Sequence, residues 1–404
     1  MRLNHIMHRR RFLGQLATVA SLPLVTSLRG FSAPAAAAPK VPKQIKAFNI
    51  DFNWYMPGEG DAQEFAPPGH FAEASPEYQI RWYHDMGVNV IHTFAVSCDG
   101  YAWYRNGFVP AEPGLKYDFL PEMVRLGHKK GMMIMGYFCV GGNSKWGKDH
   151  PDLSYGTPSD YHIPFTDEYL DYLSRSMEDA LRKTGIDGFM IDWVWNPNPK
   201  LRVSGWLPAE QKLYTQLTGK PFPESGQPDA ESMLDYEQKA IERCLTRIIE
   251  ARNRVDPHRI VWLSCNNFAD PGLAGSKMLK QIDWAINESP DPKLFLKGKE
   301  MLGPQARMIQ NLVGWAEHDA AKFLSVPANR ELDLYGFAMA RPDAKMPPVE
   351  YYLTRPLACF TGSDRYSSND RNIAALARFY RGLPFNVGKA EDCEKGSTKA
   401  ATAK

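Results

Sequence analysis

Residues 168–194 read EYLDYLSRSMEDALRKTGIDGFMIDWV. The first part sets apolar side chains (Tyr169, Leu170, Leu173, Met177, Ala180, Leu181) at helical spacing and stops at Gly185, the residue type that most often closes a helix. The period then changes. Gly188 to Val194 is a short apolar run of the kind found in a parallel strand covered on both faces. A helix closed by Gly and followed at once by a buried strand is half of a βαβ unit. The only break in the apolar run is Asp192, at the place where such a strand would reach the edge of its sheet.

The same handover recurs in both directions from this stretch. Strands are predicted at Ala47–Phe52 (AFNIDF), Val88–Val96 (VNVIHTFAV), Met132–Phe138 (MMIMGYF), Gly188–Val194, Ile260–Ser264 (IVWLS), Ile282–Asn287 (IDWAIN), Arg307–Leu312 (RMIQNL) and Tyr335–Met339 (YGFAM). Helical patterns lie between them: YQIRWYHDMG at 78–87, FLPEMVRLGHKKG at 119–131 and DYEQKAIERCLTRIIEARNRV at 235–255, with NDRNIAALARFYRGL at 369–383 closing the series. Eight strand–helix units in a chain of 404 residues predict α/β class and a single (β/α)8 TIM barrel, placed at residues 39–388. An open doubly wound sheet would carry a Gly-rich turn after its first strand, and DFNWYMPGEGD lacks that spacing. Residues 53–76 and 195–229, rich in Gly, Pro and Trp, read as long β→α loops over one end of the barrel. The small polar tail, 389–404, is predicted to be disordered.

Composition narrows the partners. A net charge of +2, with no clustered Lys/Arg run outside the first residues, argues against a nucleic-acid surface. The six Cys (98, 139, 244, 265, 359 and 393) form no C-x-x-C pair, so neither a zinc ribbon nor a dithiol redox site is expected. A disulfide framework is not expected in a domain of this size. No cofactor motif is present. The chain opens MRLNHIMHRRRFLGQLATVASLPLVTSL and continues into SAPAAAA: a basic segment, an apolar stretch, then small residues suited to a signal peptidase. RRRFLG resembles the twin-arginine translocation signature, which a receptor reads. Residues 1–38 are therefore read as a cleaved leader, with the twin-arginine machinery as a partner during export. The destination is periplasmic or secreted. No later stretch approaches the ~18 apolar residues needed to span a bilayer, so no stable membrane anchor is expected.

Barrel enzymes place their chemistry at the carboxyl ends of the strands, and the predicted strands supply a short set of candidates. Asp192 and Glu288 each end an apolar run, where an acid is costly unless paired or used. Two carboxylates from different strands facing one pocket suit glycoside hydrolysis, one attacking and the other protonating the leaving oxygen. The alternative for both is a salt bridge to a neighbour such as Arg341. Asp51, Trp54, His92, Tyr137, Trp193, Trp195, Asn266, Asn267, Gln310 and Arg341 are candidates to bind substrate, the aromatics by stacking on sugar rings and the amides by bonding hydroxyls. His92 also reads as a hydrogen-bonded core residue. Cys98, Cys139 and Cys265 read as small buried hydrophobes.

The stretch from Tyr78 to Gly142, YQIRWYHDMGVNVIHTFAVSCDGYAWY…DFLPEMVRLGHKKGMMIMGYFCVGG, resembles the barrel proteins grouped as hypothetical glycosyl hydrolase 6. It is more distantly similar to the amino-terminal barrel of α-L-fucosidases. IDGFMIDW (186–193) resembles the fourth-strand segment that carries the nucleophilic Asp in fucosidases, which implies that role for Asp192. The His-rich segment of that family near the first strand is replaced here by AFNIDFNWY, which leaves the sugar open. Glu288 as acid/base rests on its strand position alone. The expectation is an exported, retaining glycoside hydrolase acting on an oligosaccharide or polysaccharide. Two alternatives stand beside it. One is a barrel that binds carbohydrate without cleaving it. The other is a metal-dependent hydrolase or deacetylase built on Asp51, His92 and Asp192, although no H-x-H or H-E-x-x-H spacing supports a metal.

Overall fold

Eight strands pair side by side, all in parallel, and the first pairs with the last. In chain order they are β1 (Lys46–Asp51), β4 (Val90–Val96), β5 (Met133–Cys139), β6 (Gly188–Asp192), β7 (Ile260–Cys265), β8 (Trp284–Asn287), β9 (Arg307–Asn311) and β10 (Asp333–Met339). β1 hydrogen-bonds to β4 on one side and to β10 on the other, which closes the sheet into a barrel. Two short strands, β2 (Trp54–Tyr55) and β3 (Glu64–Phe65), form a separate antiparallel ribbon above β1. The computed structural model describes residues 40–57, 64–156, 163–194, 202, 205–314, 318–360, 365–385, 388 and 393. The predicted leader (1–38) and, apart from Cys393, the predicted tail (389–404) lie outside the described residues.

All eight predicted strands are present, with ends displaced by a residue or two. The displacement at β6 has a physical cause. The strand stops at Asp192 and not at Val194, because Trp193 turns into the left-handed region with φ +78°. A bulky residue there is strained. The helices follow from amphipathic spacing and from their caps. α1 (Pro76–Met86) starts at Ser75, whose side chain accepts from the Tyr78 amide, and ends at Gly87 with φ 87°. α2 (Phe119–Lys129) follows β4. α3 (Asp167–Thr184), which includes the opening sequence stretch, has Thr166 as N-cap and Gly185 as left-handed C-cap.

The expectation for 195–229 as a loop is corrected in part. Pro208–Thr218 is a helix (α4), begun by Pro at its first turn and ended by Gly219. It is followed by the long α5 (Ala230–Val255). Arg202, Tyr155 and Tyr236 all bond the fully buried Glu210 of α4, which secures this excursion between β6 and β7. The chain closes with α6 (Arg365–Tyr380), whose Tyr380 hydroxyl donates to the Ala47 and Leu334 carbonyls of β1 and β10.

A second correction concerns cysteine. Cys359 and Cys393 form a disulfide, although no disulfide framework was expected. Domain size predicts the number of bridges a fold needs for stability; it does not forbid a single strap across a terminal helix. Cys98 and Cys139 are free and buried, as expected; Cys244 is free and buried as well, while Cys265, expected to be buried, is half-buried.

Alternate residues along each strand face the barrel interior. Register pairs fix which ones. His92, Tyr137, Trp262 and Tyr335 meet there, with ring centroids 5.5 Å (His92–Tyr137), 5.8 Å (His92–Tyr335) and 6.0 Å (His92–Trp262) apart. This aromatic layer fills the barrel and forms the floor of what lies above it.

Candidate active site

Above that layer, at the carboxyl ends of the strands, a cavity of about 80 Å³ opens to solvent. Its wall carries Asp51 and Asn49 from β1, His92 from β4, Tyr137 from β5, Asp192 from β6, Tyr335 and Phe337 from β10, and Glu288 directly after β8. Asn53, Trp54, Cys98, Met190 and Trp193 complete it. Two carboxylates singled out in the sequence, and Asp51 as a third, therefore face one space. Among the described residues, none that lines it is Lys or Arg.

Each acid is held differently. Asp192 accepts from the Tyr137 hydroxyl at Oδ2 (3.0 Å) and from the Trp193 amide at Oδ1 (3.1 Å). Its own carbonyl accepts from the Val140 amide at 2.7 Å, which ties the end of β6 to the end of β5. The Glu288 amide bonds the Cys265 carbonyl, and its Oε1 accepts from the Ser264 hydroxyl. Asp51 accepts from the Asn53 amide at 2.7 Å, and Asn53 in turn accepts from the Cys98 amide at 2.9 Å. The Asp192 carboxyl is held well above the usual carboxylate range, first by burial and then by the negative charge of Glu288, with Asp51 adding to it. The hydrogen bond from Tyr137 opposes that rise. Like charges sharing a dry site cannot all ionise at once, so such a group titrates as a unit.

His92 lies at the floor. Its Nδ1 is 2.8 Å from the Tyr335 hydroxyl. Burial pushes its imidazole down to about 3, so it is neutral at ordinary pH. Asp51, His92 and Asp192 line the same cavity, yet among the described residues no group of three or more His, Cys, Asp or Glu converges as a metal-binding set.

The aromatic candidates sit at the rim. The β2–β3 ribbon stacks Trp54 on Phe65 at 4.0 Å, and Phe65 meets Trp193 edge-on at 6.0 Å. Trp193 is 36% exposed, which leaves part of its ring open to a partner. Trp195 lies outside the described residues.

Four candidates do not line the cavity. Gln310 pairs in register with Leu334, whereas its neighbour Asn311 pairs with the inward-facing Tyr335. Gln310 therefore points out of the barrel, where it exchanges hydrogen bonds with buried Asn287. Asn266 and Asn267 are exposed in the turn after β7, and Asn267 accepts from the Ala269 amide to shape that turn. Arg341 follows β10 and directs its guanidinium to Asp370 on α6 at 3.3 Å. Cys265 is pushed up to about 12 by burial, unlike an activated nucleophile. Sequence reasoning passed over Asn49, Met190, Tyr335 and Phe337. The signal that finds them is strand parity: Asn49 and Met190 lie two residues before Asp51 and Asp192.

Residues 77–193 match the family model described as hypothetical glycosyl hydrolase 6. Among solved structures, the chain is similar to α-L-fucosidase isoenzyme 2 from Paenibacillus thiaminolyticus, with a TM-score of 0.56 and 16% identity. That alignment covers 83% of this chain and 49% of the fucosidase, so the chain spans about half the length of that relative. It is also similar to the PgaB (BpsB) glycoside hydrolase domain from Bordetella bronchiseptica, with a TM-score of 0.50 and 12% identity, covering 75% of this chain and 96% of that domain. No curated protein matches the sequence. At these identities the likeness is one of fold, and it agrees with the closed parallel barrel.

Proposed function

We propose that the chain is an exported glycoside hydrolase that cleaves a glycan with retention, using Asp192 and Glu288 as its pair of carboxyl groups. The observation that supports it most is the meeting of these two acids, from the fourth and sixth barrel strands, in one cavity at the carboxyl end of the barrel. The family-model match over residues 77–193 and the glycoside hydrolase folds named above support the same reading. Asp192 is assigned as nucleophile, held in position by Tyr137 and by the Trp193 amide. Glu288 is assigned as acid/base. Trp54 and Trp193 would stack on sugar faces at the entrance, and Asp51 and His92 would contact the bound ring. Export would proceed through the twin-arginine signal at Arg9–Leu13.

One observation favours a second reading of the roles. Burial and the charge of Glu288 hold the Asp192 carboxyl well above the usual carboxylate range, and a carboxyl group held protonated is suited to be the acid.

The test is hydrolysis of a panel of aryl glycosides, α-L-fucoside included, by the mature protein, Asp192→Asn and Glu288→Gln. Turnover on at least one substrate, lost in Asp192→Asn and with the product anomer matching the substrate by NMR, is the expected result. Turnover indifferent to both substitutions would overturn the site. Azide added to Asp192→Gly and Glu288→Gly then separates the roles. The variant lacking the nucleophile yields a glycosyl azide of inverted configuration, and the one lacking the acid/base yields the retained one.

A further inference from the structure

Among the described residues, three buried polar atoms at this level of the barrel have no hydrogen-bond partner: the indole Nε1 of Trp262 below the cavity, and Nε2 of His92 and the side-chain oxygen of Asn49 in its wall. His92 and Asn49 face each other across adjacent strands, in register between β1 and β4, and both line the cavity. They are each 1% exposed. They are neighbours, yet they do not bond each other. Native interiors rarely leave such groups unmade, and where they do, a ligand or bound water is the usual reason.

The chemistry of the missing partner can be derived. The Nδ1 side of His92 is committed to the Tyr335 hydroxyl. If Tyr335 donates there, Nε2 carries the proton and needs an acceptor. If Nδ1 donates, Nε2 is bare and needs a donor. The Asn49 amide offers an acceptor, or a donor if turned over. A hydroxyl, which donates once and accepts twice, matches every combination except a bare Nε2 beside the amide oxygen, where two donors are needed. A carboxylate only accepts and an ammonium only donates. The surroundings sharpen the choice: among the described residues the cavity is lined by three acids, Asp51, Asp192 and Glu288, and by no Lys or Arg, which disfavours a negatively charged ring.

We infer that Asn49 and His92 form a hydroxyl-binding clamp at the base of the site, selecting an uncharged sugar ring whose hydroxyl reaches the barrel floor. This rests on the proposed function in placing a sugar ring in this cavity, but it concerns recognition and not bond cleavage. The clamp would orient the ring beneath the two carboxyl groups. A ring lacking that hydroxyl would leave both protein atoms desolvated and unpaired, which is why a site built for a hydroxyl rejects its deoxy analogue strongly.

Calorimetry tests the clamp whether or not turnover occurs. The mature protein is titrated with neutral methyl glycosides, the monodeoxy analogues of each, and methyl glucuronide. One neutral glycoside is expected to bind, with one of its deoxy analogues bound at least about tenfold more weakly. That difference is expected to vanish in His92→Phe and in Asn49→Leu. His92→Gln, which keeps a donor and an acceptor, is expected to restore part of it. Thermal unfolding confirms that each variant is folded, and should one fail, the deoxy series on the native protein decides alone. Equal binding of every deoxy analogue, preference for the glucuronide, or binding of no glycoside would each overturn the clamp. A deoxy effect without any hydrolysis would sink the proposed reaction and leave the clamp standing. Hydrolysis without a deoxy effect would do the reverse.

Discussion

Tyr137 has one hydroxyl proton, and it is directed to Asp192 Oδ2. Cys98 Sγ lies 3.4 Å from the Tyr137 hydroxyl oxygen, whose proton is already committed, so the thiol donates in that contact. The bond to Asp192 stabilises the ionised carboxylate against burial and against Glu288. Removing it in Tyr137→Phe should raise the Asp192 pKa further. A hydrogen bond to a charged group is worth about 1.5–3 kcal/mol, or roughly one to two pH units. The limb of the pH–rate profile that reports Asp192 ionisation should shift to higher pH by that amount, and an unmoved profile would remove Tyr137 from the machinery. His92 gives a prediction for stability. Its folded-state value is near 3 against 6.5 for the free side chain. A histidine with a depressed folded value contributes stability that is fully present above about pH 6.5 and is lost as pH falls towards 3. Between pH 7 and pH 4 the loss should be on the order of 3 kcal/mol. Urea unfolding at the two pH values should show a markedly smaller difference in His92→Phe. At this scale the lining of the candidate cavity was legible where residue type and strand position coincide, as at Asp192, Glu288 and Asp51. Gln310 was misplaced because the strand was read correctly but its parity was not. Arg341 was misplaced because its partner, Asp370, comes from a helix 29 residues further on, a distance that no local pattern reports.

The eight strands could be read because each is buried on both faces and each preceding helix ends in a recognisable way, as at Gly87 and Gly185. Their irregular ends could not. The end of β6 depends on a left-handed Trp193 and on Gly141, from the chain just beyond β5, passing close to it. A Cβ at Gly141 would sit 2.6 Å from the Trp193 carbonyl oxygen, a backbone atom with little freedom to move. Gly141→Ala should therefore displace the segment that carries Asp192. We expect a stability loss of about 1–3 kcal/mol, typical of overpacking. Turnover should fall well beyond what that loss explains, since a shift of ~1 Å at a reacting group can cost ~100-fold. Gly131→Ala is the control. Gly131 has φ +73° with open space around its Cβ, so it should lower the melting temperature through backbone strain while leaving kcat intact. Equal effects of the two substitutions on turnover would show that close packing at the end of β6 does not set the position of Asp192. The helix at Pro208–Thr218 was missed for a related reason: it is a short half-apolar pattern bounded by Pro208 and Gly219 within a Gly- and Pro-rich stretch, and its anchor is the buried Glu210, whose partners Tyr155 and Tyr236 come from distant parts of the chain.

Over the whole molecule, the disulfide and the proposed leader make one argument. Cys359 and Cys393 are 34 residues apart and bracket α6. Closing a loop of that length is worth about 3–4 kcal/mol in the chain-entropy treatment. Disulfides persist in oxidising compartments and are rare in the cytosol, so the bond is what an exported protein would carry. If export runs through the proposed twin-arginine signal, a condition is added, because substrates of that route fold before they cross. The barrel must then be able to close without the strap and acquire it afterwards. Replacing Arg9 and Arg10 with Lys should hold the precursor in the cytoplasm as a folded, protease-resistant chain with Cys359 and Cys393 reduced. The unaltered chain should be recovered outside, cleaved near Ala38 and oxidised. The retained form should unfold at lower urea than the exported form by the amount that Cys393→Ser or added reductant removes. Undiminished export of the Lys variant would discard the twin-arginine reading, and an unfolded precursor would show that the barrel needs its strap to form. Identical stability of oxidised and reduced protein would mean that α6 is held by its own packing, with the Tyr380 hydroxyl on the carbonyls of β1 and β10, and that the bond adds nothing the fold requires.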